Sequence, residues 1–366
     1  MSDSVPKEEH RVIAKANLFE FKTEKLNWGS GLRVLVALVV PLIVLGALGL
    51  TQYWPGVSFG ALFVGISDLI VLKAPIGYRM RRLGIITLAG ALLTTLGLVL
   101  GVNWVLAVLG TFVICLLCGA TLAWGKPAAL AAYLLTVWFV VSLSFQGGAA
   151  QALPQALAWL IGGALYMLLA LVRFKRQPSP SEAVQGTAPS QSPKSLFATY
   201  FALFRFTNPP FQFVLLRALA VTVGTAIGLG FGIPYAHWIP IFTLAILQPD
   251  PTETLNLFLQ RLIGTIVAAA LAAVLLVSVH NQPLIALIAI VFAFLAIAMH
   301  EVNMLTYVFF STAVILILLD FSTPGSLTDV WARVLNVAIG ALIAVLVVFL
   351  FIRPSQKKES SSAASG

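Results

Sequence analysis

Charge is scarce in this chain, so ionisable side chains inside its apolar runs are where chemistry would lie; only 10% of the 366 residues are Asp, Glu, Lys or Arg. Arg81, its neighbour Arg82 and Arg261 each sit within the first turn or two of a long apolar segment. A guanidinium is a planar fork that matches a carboxylate. Two readings fit these arginines: orienting charges whose stems snorkel to the membrane surface, or a ring that concentrates anions at the mouth of a pathway. Arg333 stands about two turns into the last apolar segment, where a charge at the centre of a lipid-exposed helix would cost up to roughly 2.5–3.5 kcal/mol. It reads equally as a partner of Asp320 or Asp329 and as an anion exit site. Two acids are candidates for proton coupling. Asp68, five residues before Lys73, either titrates or pairs with Arg82. Glu301, beside His300, either titrates or lies in a solvated turn.

Other chemistries find no support. Gly125-Lys126 is followed by Pro127 and lacks the spacing of a phosphate-binding loop. Cys115 and Cys118 lie one turn apart with no histidine or third cysteine nearby, so they read as small core residues and not as a zinc site. No HExxH motif, no pair of acidic motifs and no cysteine with a base is present. The expectation is a protein that is not an enzyme and uses no cofactor or metal.

Of these groups Arg261 belongs to one distinctive stretch, Tyr235 to Thr265, YAHWIPIFTLAILQPDPTETLNLFLQRLIGT. It reads as a short apolar helix, a sharp stop and a long helix. The first helix starts at His237 and Trp238, is interrupted early by Pro240, and ends at Gln248-Pro249, because proline cannot continue the hydrogen-bond ladder. A segment of about 14 residues does not comfortably cross a bilayer, which takes about 20. Asp250 then reads as an N-cap, Pro251 as the first helical residue and Glu253 as the partner that reaches back to the cap. The second helix runs to about Val279. A short, proline-broken span points to a binding site, since its freed backbone groups must face protein, water or substrate. Gln248 and Thr265 offer uncharged hydrogen bonds there. His237 and His280, on the outer side, read as solvated interface residues or as groups that switch near neutral pH.

The elements that carry these residues are membrane helices. The chain is 60% hydrophobic, with apolar segments at about 31–50, 56–72, 80–101, 103–124, 127–146 and 150–173, and again at about 211–232, 236–249, 257–279, 283–299, 302–320 and 327–352, about twelve in all. No secretory signal precedes the first of them. The net charge of +9 does not imply nucleic acid. The loops after every second apolar segment, with both tails and the helix ends beside them, hold every Lys and Arg except Arg333. The positive-inside rule then places both termini in the cytoplasm, across a cell (inner) membrane.

The two sets of segments echo each other. Arg33 in LRVLVAL matches Arg217 in LRALAVT, Arg81 in RRLG matches Arg261 in RLIG, and Gly163-Ala164 answers Gly340-Ala341. An even number of spans per set makes these parallel repeats, with a shared pathway at their interface. The expected architecture is all-α and polytopic, with two parallel six-helix repeats. Residues 1–29 form a cytoplasmic segment, 30–174 the first repeat, 175–210 a linker with an interfacial helix, 211–353 the second repeat and 354–366 a tail. Phe197, Tyr200, Phe201 and Phe204 give that interfacial helix one aromatic face.

With these residues in view, HWIPIFTLAILQPDPTETLNLFLQRLIGT resembles the signature of the fusaric acid resistance-type, or aromatic acid exporter, membrane proteins. That signature has a Trp-initiated short helix, a Gln-Pro stop and an Arg-x-x-Gly-Thr helix start. The resemblance continues in Asn303, Tyr307 and Thr312 and in Arg333, Asn336 and Gly340. It is weaker in the first half, where Pro75 and Gly77 replace the Gln-Pro stop and Arg81-Arg82-Leu83-Gly84 lacks the threonine. Plant aluminium-activated malate transporters look like distant relatives. Many bacterial members carry large cytosolic domains after each membrane half; the linker here is too short for one.

The resemblance implies export of aromatic carboxylic acids and similar anions. Trp238, Gln248, Arg261, Thr265, Asn303, Arg333, Arg81 and Arg82 would line the pathway, and Asp68 or Glu301 would couple protons. Its partners would be the organic anion and the lipid bilayer, with a periplasmic adaptor protein or a second copy of the chain as further candidates. A passive anion channel and a non-catalytic membrane subunit of an envelope export complex are the alternatives.

Overall fold

A computed structural model of the chain describes residues 28–72, 74–145, 148–172, 193–204, 208–247 and 327–352, and 263–320 apart from 269, 273, 276, 277, 280 and 301, with Thr23 and Leu26 besides. Every regular element among them is helical: α1 (Trp28–Ala47), α2 (Trp54–Leu69), α3 (Ile76–Leu100), α4 (Trp104–Ala120), α5 (Lys126–Ser142), α6 (Gly148–Leu171), α7 (Pro193–Ala202), α8 (Pro209–Gly230), α9 (Trp238–Ile246), α10 (Gln282–Ala298), α11 (Met304–Asp320) and α12 (Leu327–Val347). Residues 263–268 are helical as well.

Local chemistry starts these helices where they start. Proline occupies the first turn of α2, α5, α8 and α10, where its missing N–H has no helical acceptor to serve. Asn103 caps α4 by accepting from the Val105 and Leu106 amides, and Asn281 caps α10 by accepting from the Leu284 amide. Among the described residues five helices are long and apolar enough to cross a bilayer: α1, α3, α4 with its 3-10 extension to Trp124, α6 and α8. The chain is a multi-pass membrane protein.

In the first part of the chain α6 packs along α2 and α3, and α3 along α5. In the second, α9 packs against α8 and α12, and α10 against α11. The two parts lock together reciprocally, with α1 lying on α10 and α8 on α4. Glycines permit the closest approaches. A side chain at Gly162 of α6 would run into the Val57 carbonyl of α2, and one at Gly340 of α12 into the Ile239 carbonyl of α9. Where lipid gives helices no hydrophobic reason to associate, such backbone proximity lets dispersion hold them.

The aromatic helix α7 clasps the end of α4. The Tyr200 hydroxyl donates to the Leu117 carbonyl at 2.8 Å, and its ring lies 5.1 Å from that of Trp124. Phe204 continues the contact to Phe211 of α8 at 5.3 Å, while Phe201 is exposed. The side chain of Phe197 lies outside the described residues.

The short helix differs in one respect from its sequence reading. Pro240 does not interrupt α9: it is the third helical residue, within the first turn, where the amide has no partner to lose. The stop comes at Leu247, whose extended backbone (ψ 108°) ends the nine-residue helix. Gln248, Pro249 and the capping residues that follow lie outside the described residues.

Candidate functional site

Two polar constellations stand out in the apolar interior. In the first, Asp68 at the end of α2 is fully buried and receives both Nε and Nη2 of Arg79, at 2.9 and 2.7 Å. Arg79 enters from the first turn of α3 and is itself 2% exposed. The Tyr166 hydroxyl of α6 donates to the same carboxylate at 3.3 Å. A two-point fork with a third donor is the strong form of a carboxylate contact, and it neutralises a charge that the interior would otherwise reject.

Asp68 therefore pairs with Arg79, not with Arg82. Arg82 instead donates to the Pro127 carbonyl at the start of α5, and Arg81 is exposed. Read from sequence alone, the adjacent Arg81-Arg82 pair stands out and Arg79 does not. One signal could have found it: Asp68 is the only acid between Glu24 and Glu182, and Arg79 lies one helical turn before Arg82.

The second constellation surrounds a cavity of about 90 Å³ between α2 and α5 on one side and α9, α10 and α11 on the other. Its walls are mostly apolar, with rings from Phe63, Tyr133, Trp238, Phe242 and Tyr307 and hydroxyls from Ser311 and Thr312. Trp238 opens α9 and is buried, its ring 5.8 Å from that of Phe242. The Thr243 hydroxyl points to the Ile239 and Gly340 carbonyls, both at 3.0 Å, and so pins α9 to α12. Arg217 of α8 donates through Nη2 to the Leu244 carbonyl at 2.8 Å, in the last turn of α9, and lies over the Tyr133 ring at 5.8 Å. It thus satisfies one of the carbonyls that a helix end leaves open, and brings a cation to the back of a ring that lines the cavity.

The remaining sequence candidates are dispersed. Asn303 is buried and caps α11, its Oδ1 accepting from the amide and hydroxyl of Thr306 at 2.9 and 3.1 Å. Asn336 is fully buried and donates to the Pro234 and Tyr235 carbonyls at 2.7 and 3.0 Å, fastening α12 to the turn before α9. Tyr235 there adopts a left-handed φ of 57°. Thr265 is buried and its Oγ1 has no partner among the described residues. Gln248, Arg261 and Glu301 lie outside the described residues, as does the side chain of Arg333. No cluster that could hold a metal ion occurs among the described residues. Tyr307 and Thr312 are brought together with Trp238 at the cavity; Asp68 and Arg82 are not among its lining residues.

Comparison with known proteins bears on the part of the chain that holds α9. Residues 227–347 match the family described as Fusaric acid resistance protein-like. Uncharacterized protein slr1298 of Synechocystis sp. is 29% identical over 162 residues, which are 44% of this chain and 21% of that protein. The matched region thus spans about a fifth of the relative's length. No solved structure matches.

Proposed function

We propose, from the match of residues 227–347 to the family described as Fusaric acid resistance protein-like, that this membrane protein exports aromatic or other organic carboxylate anions through the cavity that Trp238 lines. The observation that carries the reading is the composition of that cavity: aromatic walls, a few hydroxyls, and Arg217 immediately behind Tyr133. Such walls suit an apolar ring, and the cation behind them favours a negative charge.

In this reading the chain forms two parallel six-helix repeats, 30–174 and 211–353, about twelve spans in all, joined by the linker 175–210. The reciprocal packing of α1 on α10 and α8 on α4, and the matching glycine contacts of α6 with α2 and α12 with α9, support it. Trp54 and Trp238, both buried, would then be equivalent openings of the second helix in each repeat. Arg261, with Arg81 and Arg82, would draw anions to the cytoplasmic mouth. Asp68 or Glu301 would couple protons, and Arg333 would stand on the exit side.

Inverted membrane vesicles test the transport reading directly. Vesicles containing the protein should accumulate benzoate when a proton gradient is imposed, and Ser311→Phe, which places a ring in the cavity, should abolish that accumulation at equal abundance. Undiminished uptake by Ser311→Phe would remove the cavity from the pathway. The orientation has its own check. Reporter fusions at Gly148 and Gln282 should report from the periplasm and one at Gln185 from the cytoplasm; the opposite pattern would sink the topology.

A further inference from the structure

The large buried indoles of this protein treat their N–H groups alike, with one exception. Trp54 donates to the Leu38 carbonyl at 3.1 Å, Trp138 to the Thr94 hydroxyl at 2.7 Å, and Trp159 to the Thr87 carbonyl at 3.0 Å. Trp238 is as enclosed, at 3% exposure, yet its Nε1–H finds no acceptor among the described residues. An indole N–H is a donor only, and leaving such a donor buried without an acceptor is costly enough that native interiors rarely do so. This indole also belongs to the wall of the cavity between α2, α5, α9, α10 and α11. The contrast with Trp54 sharpens the point, because Trp54 opens α2 as Trp238 opens α9, and only the former is tied to backbone.

We infer that the Trp238 indole N–H is a ligand-reading donor, and that the cavity takes a small planar ring bearing a hydrogen-bond acceptor, a carboxylate or an amide carbonyl. The inference rests on the cavity being the substrate site. Neighbouring rings pack beside the indole, His237 at 5.5 Å and Phe242 at 5.8 Å. Apolar walls supply affinity for the ring but no direction, and a single oriented donor supplies direction. A site built around a donor rejects analogues that cannot accept from it, since the donor is then left unpaired. Removing the N–H while keeping the ring therefore separates the two contributions.

The test uses the full-length protein in lipid nanodiscs, titrated with benzoate, benzamide and benzylammonium, the last having the same ring with no acceptor. Wild type should bind benzoate and benzamide at least about tenfold more tightly than benzylammonium, and Trp238→Phe should weaken both acceptor ligands by about tenfold or more. Trp54→Phe, which removes an N–H bonded to backbone, should leave benzoate affinity unchanged. In wild-type protein labelled with 15N-tryptophan, benzoate should shift one of the eight indole resonances downfield, a readout that needs no variant to fold. Wild-type benzoate affinity in Trp238→Phe, or no indole shift, would overturn the inference and assign the N–H to a water. If Ser311→Phe still abolishes benzoate binding in that case, the cavity remains the site and only the donor is wrong. If Ser311→Phe binds normally, the reading of the cavity itself falls.

Discussion

Arg79→Ala should be the most damaging single substitution in the first part of the chain, lowering stability by about 3–5 kcal/mol, because it leaves the fully buried Asp68 carboxylate without its two-point partner. Asp68→Ala should be nearly as harmful, for it strands a guanidinium that is 2% exposed. The double variant Asp68→Ala/Arg79→Ala should be less destabilised than either single one, since removing both charges removes the uncompensated one. Thermal unfolding in detergent measures all three. Additive losses would mean that the pair does not act as a unit. Tyr166→Phe deletes one 3.3 Å contact and should cost only about 0.5–1.5 kcal/mol.

The same series separates structure from coupling. If Asp68 serves only to hold α2, α3 and α6 together, the double variant should recover proton-driven transport along with stability. If Asp68 carries the coupling proton, the double variant should fold and lose its response to the gradient. Equal transport by wild type and double variant would exclude the coupling role.

Arg217→Ala should reduce transport by about tenfold or more at equal abundance, the loss expected when a charged donor leaves a buried acceptor. Its Nη2 holds the Leu244 carbonyl in the last turn of α9, and its cation lies over Tyr133. Both contacts bear on the cavity wall. Arg217→Lys should recover part of the activity, because an ammonium can reach one carbonyl but lacks the planar face that stacks on a ring. An Arg217→Ala protein that transports benzoate at wild-type rate would reduce this residue to a topogenic charge, the role its place near a helix end suggests from sequence.

Much of this protein was legible in its sequence, and the physical reason is the bilayer. Lipid forces each spanning segment to satisfy its own backbone, so apolar length alone marks α1, α3, α4, α6 and α8 as spans. Proline and asparagine act locally, so the starts of α2, α4, α5, α8 and α10 follow from the residues at those positions. The family resemblance too was carried by a contiguous stretch, and the matched region 227–347 contains most of it.

What tertiary structure decided is which face of each helix meets which neighbour. Arg79 and Arg82 are three residues apart and equally charged, yet only the packing of α2 and α6 against α3 gives the first to Asp68 and the second to the Pro127 carbonyl. Arg33 and Arg217 look equivalent in sequence, but the acceptor for Arg217 comes from α9, 27 residues further on. Trp54 and Trp238 each open a helix, but the Leu38 carbonyl accepts from the indole nitrogen of the first and no acceptor among the described residues meets that of the second. Periodicity places a side chain on a helix; the partner across the gap comes from a remote part of the chain, and nothing in the local sequence encodes it.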